Sequence, residues 1–169
     1  DFNSSLQSVL SGSEYVLVQL ERNPTQLDTL INEELILKPR TQQQMDDSLA
    51  EALNEVISED QLNQVLRQFR HRHMIHIIWR DLSMSADLDE TLESLSALAD
   101  VCVKYAARVH YQWLIEKHGI PRDEHGVQQH LVIIGMGKLG ARELNMSSDI
   151  DLIYTYPRRG QTDGDRSLD

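Results

Sequence analysis

Over roughly the first 120 residues apolar side chains return at steps of three and four; beyond them they gather into two short unbroken runs, Leu131–Ile134 and Leu152–Tyr154. The first spacing places a stripe along one side of an α-helix, and the second suits a strand buried on both faces. Leu6, Val9, Leu10, Val16, Leu17 and Leu20 predict a helix or two between Ser4 and Arg22, with a break at Gly12 and a stop at Asn23-Pro24. Leu27, Leu30, Ile31 and Leu35 mark one face of a second helix ending before Pro39. Met45, Leu49, Leu53 and Val56 or Ile57 mark a third, from about Thr41 to Ile57. Nothing polar recurs on these faces, so they predict a helical bundle.

Ser58-Glu59-Asp60-Gln61 has the form of a capping box, with Ser58 accepting from the third helical amide and Gln61 reaching back. A long helix is expected from there, buried through Leu62, Val65, Leu66 and Phe69. The run Arg67-Gln68-Phe69-Arg70-His71-Arg72-His73 puts positive groups on its other sides, and Arg72, His76 and Arg80 share a face four residues apart. That face reads as solvated and paired with neighbouring acids, ahead of a phosphate- or partner-facing surface. His71, His73 and His76 contain no pair spaced i, i+4 and receive no ligand role. The next helix starts after Asp87 as N-cap, carries the stripe Leu92, Leu95, Ala99, Cys102, Ala106, Val109 and Trp113, and stops at Gly119 and Pro121. Cys102 and Trp113 read as core. Arg122 to Gln129 read as a polar connector.

Charge narrows the function classes. A formal net charge of −11 argues against a general nucleic-acid binder or an anionic-membrane binder, both of which need basic surface. No apolar run approaches the length that crosses a bilayer. A single cysteine builds neither an internal disulfide nor a cysteine-based zinc site, and it fits a reducing cytoplasm. The absence of an initial Met and the polar tail read as those of a piece of a longer chain.

The chemistry concentrates between Leu131 and Tyr154, which reads as strand, glycine turn, short helix, polar turn, strand. Gly135 and Gly137 let backbone amides face a phosphate, and Lys138 adds a positive charge beside them. Ser147 and Ser148 lead into Asp149-Ile150-Asp151, whose two carboxylates fall on one face if the strand begins there. Two like charges so placed repel each other, and a divalent cation reverses that repulsion. Mg²⁺ takes carboxylate and phosphate oxygens, so the pair points to phosphoryl or nucleotidyl transfer.

Two rival motifs fit less well. Gly135-Met136-Gly137-Lys138-Leu139-Gly140 matches the G-x-G-x-x-G of dinucleotide-binding folds, yet that fingerprint needs a full crossover helix and an acid at the far end of the second strand. Here the acids stand before the second apolar run. A P-loop would need Ser or Thr after Lys138, where Leu139 stands. Against both is the plain reading of a glycine-rich turn with two solvated aspartates.

The run GMGKLGARELNMSSDIDLIY resembles the signature of the glutamine synthetase adenylyltransferase family, part of the nucleotidyltransferase superfamily that includes DNA polymerase beta. One departure is Ala141, where many members carry a second glycine after Gly140. Leu66 to Arg72 and Ile77 to Leu82 also resemble the arginine-rich helix preceding the catalytic domain in that family. The resemblance implies an α+β chain: a helical region over 1–122, then the first strands of a polymerase-beta-like catalytic domain over 123–169. It implies that Asp149 and Asp151 are catalytic and bind Mg²⁺. Gly135, Gly137, Lys138, Ser147 and Ser148 would hold the phosphates of a nucleotide, ADP or ATP, with inorganic phosphate as a further substrate.

The family holds two similar halves, one attaching AMP from ATP to a tyrosine of glutamine synthetase and one removing it by phosphorolysis with release of ADP. Gly135-Met136-Gly137, Glu143-Leu144-Asn145, Asp149-Ile150-Asp151 and the later Pro157, Gly160, Gly164 and Leu168-Asp169 resemble the AMP-removing half more closely. The AMP-adding half is the alternative, and a non-catalytic helical interaction module is the competing class. Implied partners are glutamine synthetase, the nitrogen-signal protein PII and glutamine as effector, in the cytoplasm. The superfamily's third carboxylate comes from a later strand. None of Asp163, Asp165 and Asp169 is promoted to that role, so these 169 residues alone are expected to be inactive.

Overall fold

The computed structural model describes residues 2–25, 27–28 and 38–164. Within them the chain forms helices α1 (Phe2–Gly12), α2 (Glu14–Arg22), α3 (Gln42–Ala52), α4 (Glu59–Leu82) and α5 (Leu88–His118). Strand β1 (Pro121–Asp123), strand β2 (Val132–Gly135), helix α6 (Gly137–Gly140), strand β3 (Leu152–Thr155) and strand β4 (Gly160–Thr162) follow. The class is α+β, mostly helical with short antiparallel strands. No described helix is long and apolar enough to cross a membrane.

Local signals set most helix starts. The first helical stretch breaks where Gly12 allows it, and Ser13 caps α2 by accepting from the Val16 amide. Leu30, Ile31 and Leu35 of the second expected helix lie outside the described residues. Thr41 and Gln44 form a reciprocal capping box at α3, and Met45 and Leu49 are fully buried as the stripe requires. That helix ends at Ala52, short of Ile57: Leu53 to Val56 turn the chain, and Ile57 is 82% exposed. Ser58 caps α4 through the Gln61 amide, but the Gln61 side chain accepts from the Ile57 amide and not from that of Ser58, so the expected box is only half closed.

Helix α4 departs most from its pattern. From His73 to Arg80 every residue is buried, because α1, α2, α3 and α5 all pack against it. The expected solvated face at His76 and Arg80 is therefore a correction: both are buried, and Arg72 is half-buried. Specific partners meet part of the cost of burying these groups. The Arg80 guanidinium donates to both oxygens of Glu90, at 2.7 and 3.1 Å, and to the Ser85 carbonyl at 2.9 Å. His76 Nε2 lies 3.1 Å from the Lys38 carbonyl oxygen.

Helix α5 starts as expected, with Asp87 accepting from the Glu90 amide, and ends where Gly119 takes φ 85°. Its fully buried apolar line is Leu95, Leu98, Val101 and Tyr105, one position off the expected Ala99, Cys102 and Ala106, which are half-buried. Trp113 is half-buried too, since the core covers mainly the first half of the helix. Burial pushes the Cys102 thiol up to about 11, which keeps it protonated and unreactive.

The expected polar connector is partly a strand. β1 pairs antiparallel with β4, Pro121 opposite Thr162 and Asp123 opposite Gly160, fastened by Arg122 on Asp163 at 2.6 Å. β2 pairs antiparallel with β3, Val132 opposite Thr155 and Gly135 opposite Leu152. The Leu131–Ile134 run is expected to be buried on both faces, but Val132 and Ile134 are 42% and 45% exposed, while Ile133 faces helix α5 across a cleft. Among the described residues only one face of this ribbon meets the helices.

Candidate functional site

The glycine segment is anchored to the helical core at three leucines. Leu139 of α6 and Leu144 of the following loop are buried in the main cluster, and Leu152 of β3 packs against it. Between these anchors the backbone is held by its own bonds. The Met136 amide donates to the Asp151 carbonyl at 2.9 Å, carrying the β2–β3 register one step past Gly135 and Leu152. The turn and the acid pair are thus joined across the ribbon.

Gly137 has φ 54°, which favours glycine, and a Cβ placed on it would stand 4.0 Å from Asp151 Oδ2. The Asp151 carboxylate therefore faces the start of α6. Gly140 has a different necessity: a Cβ there would meet the Gly135 carbonyl oxygen at 2.6 Å. The third glycine of the motif serves close backbone approach, and it was absent from the expected site.

The other expected residues are placed as follows. β3 begins at Leu152, so Asp149 and Asp151 lie just ahead of the strand rather than in it. Asp149 borders a pocket of about 260 Å³ with Arg70, Cys102, Asn145 and Ser148. Ser148 Oγ donates to Asn145 Oδ1 at 2.6 Å and Ser147 Oγ to the same atom at 3.3 Å, so Asn145 holds the two hydroxyls together. Gly135 closes β2 and borders a cleft of about 430 Å³ that opens onto α5. Among the described residues, the side chains of Lys138, Asp149 and Asp151 have no hydrogen-bond or ion-pair partner.

Sequence reasoning missed the contact that secures this loop. Arg142 donates from Nε and Nη2 to Glu93 at 2.6 and 2.5 Å and from Nη1 to Asp100 at 2.8 Å, both carboxylates belonging to α5. The Arg142 guanidinium holds the Glu93 carboxyl below its ordinary value, and Glu93 then Asp100 raise the guanidinium's own. No local pattern signals an ion pair between residues 49 apart in sequence.

The arrangement decides between the rival motifs. A dinucleotide fold joins parallel strands through a full crossover helix. Here β2 and β3 are antiparallel, and α6 between them has 4 residues. As to a metal, no group of three or more ligating side chains forms among the described residues. Two exposed carboxylates without cationic partners nevertheless suit Mg²⁺, which uses one or two protein carboxylates and fills its shell with phosphate and water.

Comparison with known proteins decides the lineage. Residues 3–169 match the family model of the glutamate-ammonia ligase adenylyltransferases. The chain belongs to that family. Among the adenylyltransferase relatives, one from Thioalkalivibrio sulfidiphilus is 43% identical over 98% of this chain and 17% of its own length. One from Pseudomonas syringae pv. tomato is 41% identical over 98% of this chain and 17% of its own. A third, from Hahella chejuensis, is 49% identical over 72% of this chain and 13% of its own. Each is named a bifunctional glutamine synthetase adenylyltransferase/adenylyl-removing enzyme. The chain therefore spans about one sixth of the length of these adenylyltransferases, 17% for the first two.

Proposed function

We propose that this chain carries the opening of a nucleotidyltransferase site, with a helical region over 1–122 and the beginning of the catalytic domain over 123–169, and that the site removes AMP from an adenylylated tyrosine of glutamine synthetase. The observation that carries the reading is the glycine turn facing Asp151, with the Lys138, Asp149 and Asp151 side chains unpaired among the described residues. Charged groups left without partners beside exposed backbone amides suit a ligand that carries both phosphate and cation.

In this reading Asp149 and Asp151 would hold Mg²⁺, which when bound would supply compensation for negative charge on the transferred group. The amides at the start of α6, with Lys138, steady the oxygens that do not react. Ser147 and Ser148, fixed through Asn145, border the same loop. These residues accelerate the reaction by alignment and charge compensation. Inorganic phosphate attacks the adenylyl phosphorus, the bond to the tyrosine oxygen breaks, and ADP leaves. Glutamine synthetase is the protein substrate, with glutamine and PII as regulators of the reaction in the cytoplasm.

The relatives' names join both activities, so ATP-dependent addition of AMP to the tyrosine is the second reading. The two separate by product. With adenylylated synthetase, Mg²⁺ and phosphate, the first predicts phosphate-dependent ADP; with unmodified synthetase and ATP, the second predicts labelled tyrosine. Both require a protein of the relatives' length, and the present 169 residues alone are expected to give neither product.

A further inference from the structure

We propose that Arg142 is a positioning residue: by fastening the loop after α6 to helix α5 it sets the path of the segment that delivers Asp149 and Asp151. The inference rests on the Mg²⁺-dependent reading given above. Its geometry is a fork. Two guanidinium nitrogens meet Glu93 and a third meets Asp100, and these carboxylates stand about two helical turns apart along α5. One planar group spans both, which an ammonium cannot do.

The backbone gives an independent indication. Arg142 has φ 59°, a region that residues with side chains enter only when their surroundings over-determine it. What determines it here lies on both sides. The Glu143 amide donates to the Lys138 carbonyl at 2.7 Å, and the Leu144 amide lies 3.4 Å from the Oγ of fully buried Ser96 on α5. Leu144 itself is buried in the core. Residues 142–144 thus fold back on α5 before the chain runs out through Asn145 and the two serines to the acid pair. Since α5 also packs on α3 and α4, the position of the carboxylates is referred to the helical region and not only to the β2–β3 ribbon. The guanidinium is occupied by α5 and is not a phosphate ligand.

The test uses a protein carrying this segment at the length of its relatives, as wild type, Arg142→Ala, Arg142→Lys and Glu93→Gln. Amide hydrogen exchange over residues 143–151 is measured together with the Mg²⁺ concentration that half-saturates turnover. Arg142→Ala is expected to speed exchange in that segment by about tenfold with the α4 and α5 core amides unchanged, and to raise the half-saturating Mg²⁺ concentration. Arg142→Lys and Glu93→Gln should fall between it and wild type. Unchanged exchange in Arg142→Ala overturns the clamp. Faster exchange with unchanged Mg²⁺ dependence overturns the positioning role. A wild type that turns over without Mg²⁺ sinks the functional reading and with it the positioning role, while the exchange comparison still decides the clamp.

Discussion

A side chain on Gly140 would bring its Cβ to 2.6 Å from the carbonyl oxygen of Gly135, so the end of α6 and the end of β2 approach closer than any other residue permits. The contact fixes the turn between them, including Gly137 and its outlook on Asp151. We predict that Gly140→Ala shifts this turn by a fraction of an ångström or more and lowers turnover by about 100-fold, the scale of a small misplacement of reacting groups. Among the described residues the core reaches this contact only through Leu139, so the long helices should keep their packing. Circular dichroism of the variant should match wild type while activity falls; normal activity would show that the turn is not part of the site.

The side chains of Asp149 and Asp151 are exposed and carry no partner among the described residues, so neither carboxylate holds the fold together. Asp149→Asn and Asp151→Asn are each predicted to cost at least about 100-fold in turnover, as loss of a group that compensates transition-state charge does. Stability should stay within about 0.5 kcal/mol of wild type. Paired activity and urea-unfolding measurements check this, and a variant with near-normal rate would remove that residue from the metal assignment.

The buried ion pair of the α4–α5 hairpin predicts the opposite pattern. Arg80 is 4% exposed and its guanidinium meets Glu90 twice. Glu90→Ala leaves a buried charge with fewer partners and should destabilise by about 3 kcal/mol. The Glu90 carboxylate bonds Arg80 and no residue of the glycine turn, so turnover per folded molecule should hold at temperatures where the variant remains native. Thermal unfolding and activity on the same samples test both halves.

Acid should loosen the fold before its carboxylates titrate. Burial, helped by Arg40, His76 and Arg72, lowers His73 from 6.5 to about 3. Its folded-state value is depressed, so the unfolded chain binds the proton first as pH falls. Stability from neutral His73 is full above about pH 6.5 and is lost between there and about pH 3. The loss is up to about 1.4 kcal/mol per pH unit. Carboxylates add to this at lower pH: Glu93 and Asp46 are held below their ordinary values by hydrogen bonds from Arg142 and Lys104, and that stability is lost as they protonate. Unfolding free energy measured from pH 7 to pH 5 should fall, and His73→Phe should flatten the slope. A wild-type slope of zero over that range would contradict the burial of a neutral imidazole.

What could be read from the sequence was what neighbours in sequence decide. Ser58 and Asp87 announce helix starts because a cap needs only a side chain and an amide three residues on. The glycine turn was legible for the same reason, and so was the family, whose motif is contiguous. The buried stretch from His73 to Arg80 was not. Its charged and aromatic residues look solvent-facing one by one, and only packing by four other helices reverses that. The β1–β4 pair joins segments about 40 residues apart with no apolar alternation, and Arg142 reaches Glu93 across 49 positions. Pairings of that kind leave no periodicity to find.

The most direct measurement of the central claim uses a protein of the relatives' length incubated with adenylylated glutamine synthetase, Mg²⁺ and inorganic phosphate, followed by separation of the nucleotide products. The account predicts ADP that depends on phosphate and disappears in Asp149→Asn. AMP transfer from ATP to unmodified synthetase, lost in Asp149→Asn while phosphate-dependent ADP persists, would contradict it and assign this segment to the adding reaction.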